Sequence, residues 1–535
     1  MGPRVQPSPS MKYFSTRGGD SRLTFEEAVL KGLAPNGGLY IPETIPQLPA
    51  DWQTAWKDLS FVELSFRLVS LFVPPTAEEG GIPPEDLRKL IEKSYATFRH
   101  ENVTPLKRVS ENEYCLELWH GPTFAFKDVA LQLLGNFFEY FLVRRNKAEG
   151  KEHAHTITVV GATSGDTGSA AIAGLRSKAN IQIFILHPKG RVSPIQEAQM
   201  TTVMDENVHN LAVDGTFDDC QDIVKALFSD APFNAQHHLG AINSINWARI
   251  LSQIVYYFAA YFQLRRQSPE VDMDKVQFVV PTGNFGDILA GYFAKRLGLP
   301  MRSLAVATNE NDILQRFWST GRYEKEQGSG EVHATLSPAM DIMVSSNFER
   351  LLWYLAHDTA DAKDEKEAVR DAGVQVVEWM DSLRSKGTIQ VSEKQLALAR
   401  KDFVAERVSN DETRAAILRY YRPNDGRESY LIDPHTAVAF EAANRLTKSE
   451  AFPQIILSTA HPAKFSEAVV SSIASASDEA SATRFFNEEV LPKEMHGLLE
   501  RERRVTQVDQ ADTGATKLEK LITRTKEIIE KDGFQ

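Results

Sequence analysis

Three times along the chain a short apolar or β-branched run gives way to a glycine-containing loop and then to residues at helical spacing. Thr156 to Val160 (TITVV) reads as a buried strand, Gly161 to Gly168 as a loop, and Ser169 to Leu175 as the start of an alanine-rich helix. Ile181 to Leu186 and Val208 to Val213 read as further strands, the second followed by an Asp214-Gly215 turn and a helix over Phe217 to Phe228. The sharpest instance is Gln277 to Val280, then PTGNFG (Pro281 to Gly286), then the helical DILAGYFAKRLG, then a strand over Ser303 to Thr308. Repeated alternation of this kind predicts an α/β fold of doubly wound, mostly parallel open sheets, with sites at the carboxyl ends of the strands. The length leaves room for two such sheets.

Around that alternation the pattern changes character. A helix opens after Thr24, with Glu26 and Glu27 in its first turn, and the turn-rich LAPNGGLYIP follows, together reading as a lid or cap. Phe61, Leu64, Leu68 and Leu71 continue an N-terminal helical layer. Residues 318–332 and 359–426 are polar and read as solvent-facing helices and loops inserted between core elements. The core resumes at DPHTAVAFEAANRL, from Asp433, and at a strand over Ile455 to Ser458; the charged stretch from about Ser475 reads as a peripheral helical tail. The expected domains are a disordered extension over 1–10, a mostly helical segment over 11–110, a large α/β domain from 111–150 and 265–480, a small α/β domain over 151–264, and the tail over 481–535.

Composition narrows the partners. With 535 residues, a net charge of −12 and no dominant basic run, a nucleic acid or an anionic membrane is disfavoured, and an anionic substrate requires a local basic pocket. Two cysteines, Cys115 and Cys220, exclude a disulfide framework and a cysteine-rich metal site, and the adjacent His237 and His238 are poorly disposed to share an ion, so no metal is expected. No apolar run reaches bilayer length, and the first ten residues lack the pattern of a signal or transit peptide, which makes the cytoplasm the expected location.

Candidate chemistry gathers at three loops. In HGPTFAFKD (His120 to Asp128), Lys127 lies between a small-residue turn and an apolar helix pattern beginning at Val129, with Phe124 and Phe126 at alternate positions. An amine held among apolar side chains loses hydration of its charged form and becomes available as a nucleophile toward an aldehyde. PTGNFGD (Pro281 to Asp287) can turn backbone N–H groups into a concavity at a helix N-terminus, a setting for phosphate, and it lacks the lysine and hydroxyl of a triphosphate cradle. GATSGDTGSAA (Gly161 to Ala171) departs from dinucleotide-binding glycine spacing and instead offers the hydroxyls of Ser164 and Thr167 to a carboxylate or a second phosphate. For positive charge the candidates are Lys189, Arg191 and, above both, Arg249, which neighbours Asn243, Asn246 and Trp247.

HGPTFAFKD, ATSGDTG, PTGNFGD, SPAMDI (Ser337 to Ile342), DPHTAV (Asp433 to Val438) and LSTAHPAKF (Leu457 to Phe465) together resemble, in order, the motif set of the threonine synthase family, nearest to its long fungal and bacterial form. The resemblance runs from about Met11 to beyond Phe465; position 339 departs from it, being Ala339 where a serine is expected. It implies a fold-type II enzyme with pyridoxal 5'-phosphate as cofactor, a carbon-oxygen lyase that converts O-phospho-L-homoserine and water to L-threonine and phosphate. It further implies that Lys127 holds the cofactor and is catalytic. Gly283, Asn284, Phe285, Gly286 and Asp287 would receive the cofactor phosphate, and Thr459 would face its ring nitrogen. Ser164 and Thr167 would bind substrate, and Arg249 the substrate phosphate. The alternative is a related phospho-lyase that releases a 2-keto acid. Neither reading needs a protein partner, a nucleic acid or a membrane.

Overall fold

The computed structural model describes residues 11–242, 244–325, 332–448, 450–474, 478–509 and 516–534. The expected disordered extension over 1–10, and Asn243, lie outside these residues. The chain divides into two compact units, Met1–His120 with Ser244–Glu488, and Gly121–Asn243 with Glu489–Gln535.

In the first unit six strands lie in the order Phe403–Arg407, Ser303–Thr308, Gln277–Pro281, Gln454–Ser458, Glu113–Glu117 and Leu106–Arg108. All neighbours are parallel except the last pair, whose short connection permits an antiparallel return. The strands over 277–281 and 303–308 fall where the hydrophobic runs predict them. Their buried faces join Val438, Phe440 and Ile456 in one apolar core. Running beside the sheet, the helix Trp247–Gln267 is buried through Leu264, so its sequence is apolar on every face rather than along one stripe. The N-terminal strand Tyr13–Ser15 pairs antiparallel with Tyr40–Pro42. The helix between them, Phe25–Lys31, opens on a reciprocal capping box from Thr24 and Glu27.

One polar insertion is more than surface. Within 359–426 the segment Phe403–Arg407 adds an edge strand to the main sheet, pairing in parallel with Ser303–Thr308. Its alternation is hidden in the sequence because only Phe403 of its five residues is buried.

The second unit carries a five-stranded, wholly parallel sheet in the order Thr506–Val508, Val208–Val213, Ile181–Pro188, Ile157–Ala162 and Leu239–Gly240. The segment read as a peripheral tail is therefore structural. Val508 extends the sheet, and Leu521, Ile528 and Ile529 of the helix Lys517–Asp532 fill the same core as Leu211, Val213 and Ile223. The helix that opens at Lys127 runs to Glu149 and lies in this unit, against the helix Asp166–Leu175. Their backbones meet at glycines: a Cβ on Gly135 would fall 2.1 Å from the Gly174 carbonyl oxygen.

Candidate active site

Lys127 is the first residue of its helix, two positions earlier than the apolar pattern predicts, and it is buried, with Nζ 5.7 Å from the centre of the Phe126 ring. The turn before it is locked by the residue after it. Asp128, fully buried, accepts from the Thr123 N–H at 2.8 Å and from the Thr123 hydroxyl at 2.7 Å. Phe124 adopts a left-handed backbone conformation (φ 60°), a strain that this carboxylate brace helps to hold. Gln199 donates to the Thr123 carbonyl at 3.3 Å, tying the turn to the helix Pro194–Thr201. From that same helix Gln196 donates to Asp166 at 2.8 Å, at the start of the helix following the Gly161 loop.

That loop braces itself. The Thr163 hydroxyl accepts from the N–H groups of Gly165 (3.0 Å) and Gly168 (2.9 Å), drawing the loop around its own side chain. Ser164 is left exposed and Thr167 half-buried, and neither hydroxyl has a protein hydrogen-bond partner among the described residues. Lys189 and Arg191 are exposed.

In the first unit the loop after Pro281 and Thr459 sit at the carboxyl ends of two adjacent parallel strands. Phe285 is left-handed (φ 62°) and buried. Its ring is held among Trp318, Phe348 and Phe403 at centroid distances of 6.0, 5.3 and 5.9 Å. Gly283 lies so close to the Ser337–Ile342 segment that a Cβ there would be 2.6 Å from the Ala339 carbonyl oxygen, so close approach alone requires glycine. The loop's carbonyls are taken up by one downstream segment. Ser345 Oγ donates to Gly283 O at 2.6 Å, while the Asn347 N–H (3.1 Å) and Nδ2 (3.0 Å) both donate to Asn284 O. A trans peptide points its carbonyl and its N–H in opposite directions, so pinning these two carbonyls aims the N–H groups of Asn284 and Phe285 together away from Ser345 and Asn347. Neither N–H has a protein acceptor among the described residues, which leaves an anion-binding nest ahead of the helix Gly286–Leu297.

Asp287 points elsewhere. Its Oδ1 accepts from the hydroxyls of Tyr256 and, at 3.2 Å, Tyr257, while Oδ2 is buried without a partner among the described residues, and burial pushes the carboxyl up to about 7. Its contribution toward an anion is the backbone N–H; the side chain anchors the loop's helix to the helix Trp247–Gln267. On that helix Arg249 is buried, and its Nε and Nη1 have no hydrogen-bond partner among the described residues. Burial lowers it to about 10, and no carboxylate among the described residues pairs with it. Asn246, expected beside it as a pocket amide, instead caps the helix: its Oδ1 accepts from the Ala248 N–H at 3.0 Å and its Nδ2 donates to Val29 O at 2.9 Å. Thr459 is buried, and its hydroxyl bonds no protein group among the described residues. The next motif residue but one, His461, is pushed down to about 4 by burial and by the nearby His120, and its Nδ1 accepts from the Ala463 N–H at 3.1 Å.

Sequence reasoning missed Ser345, Asn347 and Arg350. A signal was present: Arg350 falls at helical spacing among Phe348, Leu351 and Leu352, where a charged residue needs a buried acceptor.

Within the first unit, a backbone nest for an anion and a hydroxyl without a protein partner among the described residues at the neighbouring strand end suit a phosphate and a ring nitrogen; within the second, a buried lysine at a helix start suits an aldehyde. A family model described as pyridoxal-phosphate dependent enzyme matches residues 97–373, the class that fold and site define. Models for the threonine synthase N terminus and for threonine synthase, C-terminal, match 12–95 and 436–522. The threonine synthase of Schizosaccharomyces pombe is 55% identical over 506 residues, covering 93% of this chain and 95% of its own. The crystal structure of threonine synthase from yeast superposes with a TM-score of 0.88 at 49% identity, covering 98% of this chain and 99% of its own. The pyridoxal-phosphate-bound threonine synthase of Brucella melitensis superposes with a TM-score of 0.82 at 42% identity, covering 98% and 100%. The chain belongs to the threonine synthase family.

Proposed function

We propose that this enzyme converts O-phospho-L-homoserine and water to L-threonine and phosphate, the last step of threonine biosynthesis, in the cytoplasm. The observation that carries the substrate assignment is Arg249. A buried guanidinium with two unpartnered nitrogens and no carboxylate beside it calls for an anion, and a phosphate monoester supplies the charge and the acceptors. Among the described residues no helix is long and apolar enough to cross a membrane.

When bound, pyridoxal phosphate supplies an electron sink that acidifies the α-carbon of an amino acid joined to it. Lys127 would hold the cofactor through its amine and would also be the group that moves protons to and from the substrate carbons. The Asp128 brace keeps the Lys127 backbone from drifting while Nζ does so. The N–H groups of Asn284 and Phe285, with Gly283, Gly286 and the Asp287 backbone, hold the cofactor phosphate. Thr459 offers its hydroxyl to the ring nitrogen, and a hydroxyl, unlike a carboxylate, does not enforce ring protonation. Ser164 and Thr167 receive the substrate carboxylate.

The test is incubation of the purified enzyme with O-phospho-L-homoserine and assay of both products. Equal yields of phosphate and threonine are expected, and Arg249→Met should need about a hundredfold more substrate to reach half its maximal rate. A 2-keto acid and ammonia in place of threonine would replace this reading with the phospho-lyase one.

A further inference from the structure

Arg350 has no counterpart in any of the motifs and carries no role in the reaction above, yet it is among the largest fully buried side chains of the protein. No carboxylate forms an ion pair with it among the described residues; the adjacent Glu349, whose charge favours the guanidinium, is itself engaged by Arg17 at 2.9 Å and by the Thr16 hydroxyl at 2.6 Å. Instead the guanidinium is surrounded by oxygens of the uncharged backbone and one amide. Nε and Nη2 donate to Tyr40 O at 3.0 and 2.9 Å, Nη2 also to Ile245 O at 2.6 Å, and Nη1 to Asn347 Oδ1. Burying a cation this way is costly, and these four hydrogen bonds, which engage all three nitrogens, offset part of that cost.

The acceptor that matters is Asn347. Its amide oxygen is held by Arg350, so the amide nitrogen must face the other way, where it donates to Asn284 O at 3.0 Å and to Ser244 O at 3.1 Å. An Asn left free could flip its amide and present oxygen to those carbonyls, which would repel them; Arg350 forbids the flip. A charged donor on Oδ1 also polarises the amide and strengthens the bonds its nitrogen makes. The chain of effect therefore runs from Arg350 through Asn347 to the Asn284 carbonyl, and through that peptide plane to the Phe285 N–H. The same guanidinium grips Ile245 O, one residue before the Asn246 cap of the helix bearing Arg249, and Tyr40 O in the N-terminal strand pair.

We propose that Arg350 is a positioning residue for the phosphate nest: by fixing the amide orientation of Asn347 it holds the Asn284–Phe285 peptide with its N–H toward the cofactor phosphate. The inference rests on the reading of the Gly283–Asp287 loop as the phosphate site. It locates the control of cofactor affinity in a side chain that touches neither cofactor nor substrate.

The experiment measures the affinity of the full-length apoprotein for pyridoxal 5'-phosphate and for pyridoxal, which lacks the phosphate, in four forms: unchanged, Gly283→Ala, Asn347→Asp and Arg350→Lys. The ratio of the two affinities isolates the phosphate contribution, and a general loosening of the fold would weaken both ligands together and leave the ratio alone. Losing one well-aimed donor predicts a ratio about tenfold lower in Arg350→Lys and in Asn347→Asp, with pyridoxal affinity changed less than about twofold. Asn347→Asp keeps the oxygen that Arg350 grips and loses the nitrogen that holds Asn284, so it tests the relay even if Arg350→Lys folds poorly. A lowered ratio in Gly283→Ala with an unchanged one in both other variants would overturn the positioning role alone. An unchanged ratio in Gly283→Ala would overturn the phosphate assignment itself, and the positioning role with it.

Discussion

In the turn that presents Lys127 the brace comes from the adjacent residue: the Asp128 carboxylate reaches back five positions to Thr123. In the loop that begins at Gly283 the braces are Ser345 and Asn347, 62 and 63 positions downstream. The first arrangement exists as soon as one turn of helix forms. The second exists only once a distant segment has packed, which makes its shape adjustable by residues remote from the ligand. Holding a reactive amine demands a stiff local mount, and holding a phosphate demands several N–H groups at once, which one neighbouring side chain cannot organise.

The largest expected effect removes the reactive group from the local mount and leaves the mount intact. Lys127→Ala should lose turnover by at least about a thousandfold and lose the borohydride-reducible cofactor absorbance, while its melting temperature stays within a few degrees. Persistence of both the absorbance and turnover would move the cofactor amine elsewhere. Next, Asp128→Asn keeps the lysine and weakens the brace. It should retain reducible cofactor and lower kcat by about tenfold to a hundredfold with little change in KM, because a loosened mount costs alignment in the reacting state. An unchanged kcat would mean that the turn is stiff without the carboxylate and that the contrast with the remotely braced loop is false.

The smallest effect is on stability and concerns the anchor of the loop's helix. In the unfolded chain Asp287 ionises near 4, whereas in the fold it holds its proton until about 7. The unfolded state therefore sheds its proton first, and stability contributed by the protonated form, complete below about pH 4, is lost as pH rises to about 7. Between about pH 5.5 and pH 8 the loss amounts to roughly 2 kcal/mol. Asp287→Asn, which cannot ionise, should show a pH dependence of unfolding free energy flatter by that amount; parallel curves for the two proteins would place the ionisation of Asp287 in the ordinary range.

What could be read from the chain depends on how near an element's partners lie and on how much of the element is buried. The capping box at Thr24 and Glu27 rests on neighbours within a few residues, while the strands Val208–Val213 and Gln277–Pro281, though paired with distant strands, are buried along nearly their whole length, so an apolar run marks each. The edge strand Phe403–Arg407 and the strand Thr506–Val508 rest on partners far away in the chain, and each buries too few side chains to alternate visibly. At the site, Lys127 and the Gly283 loop announce themselves by composition, whereas the orientation of Asp287 toward two tyrosines and the bracing role of Asn347 depend on the packing of the helices that carry them.

The strand Thr506–Val508 also sets a schedule for synthesis. The second unit draws on Gly121–Asn243 and on Glu489–Gln535, so its sheet lacks an edge and its core lacks Leu521, Ile528 and Ile529 until residues 244–488 have been made. At about 5–20 residues per second the ribosome needs roughly 10 to 50 s to cross that gap. For that interval the nascent chain holds the helix that begins at Lys127 beside a half-built sheet whose open edge at Val208–Val213 can pair with other strands, so chaperone dependence during translation should concentrate on this unit.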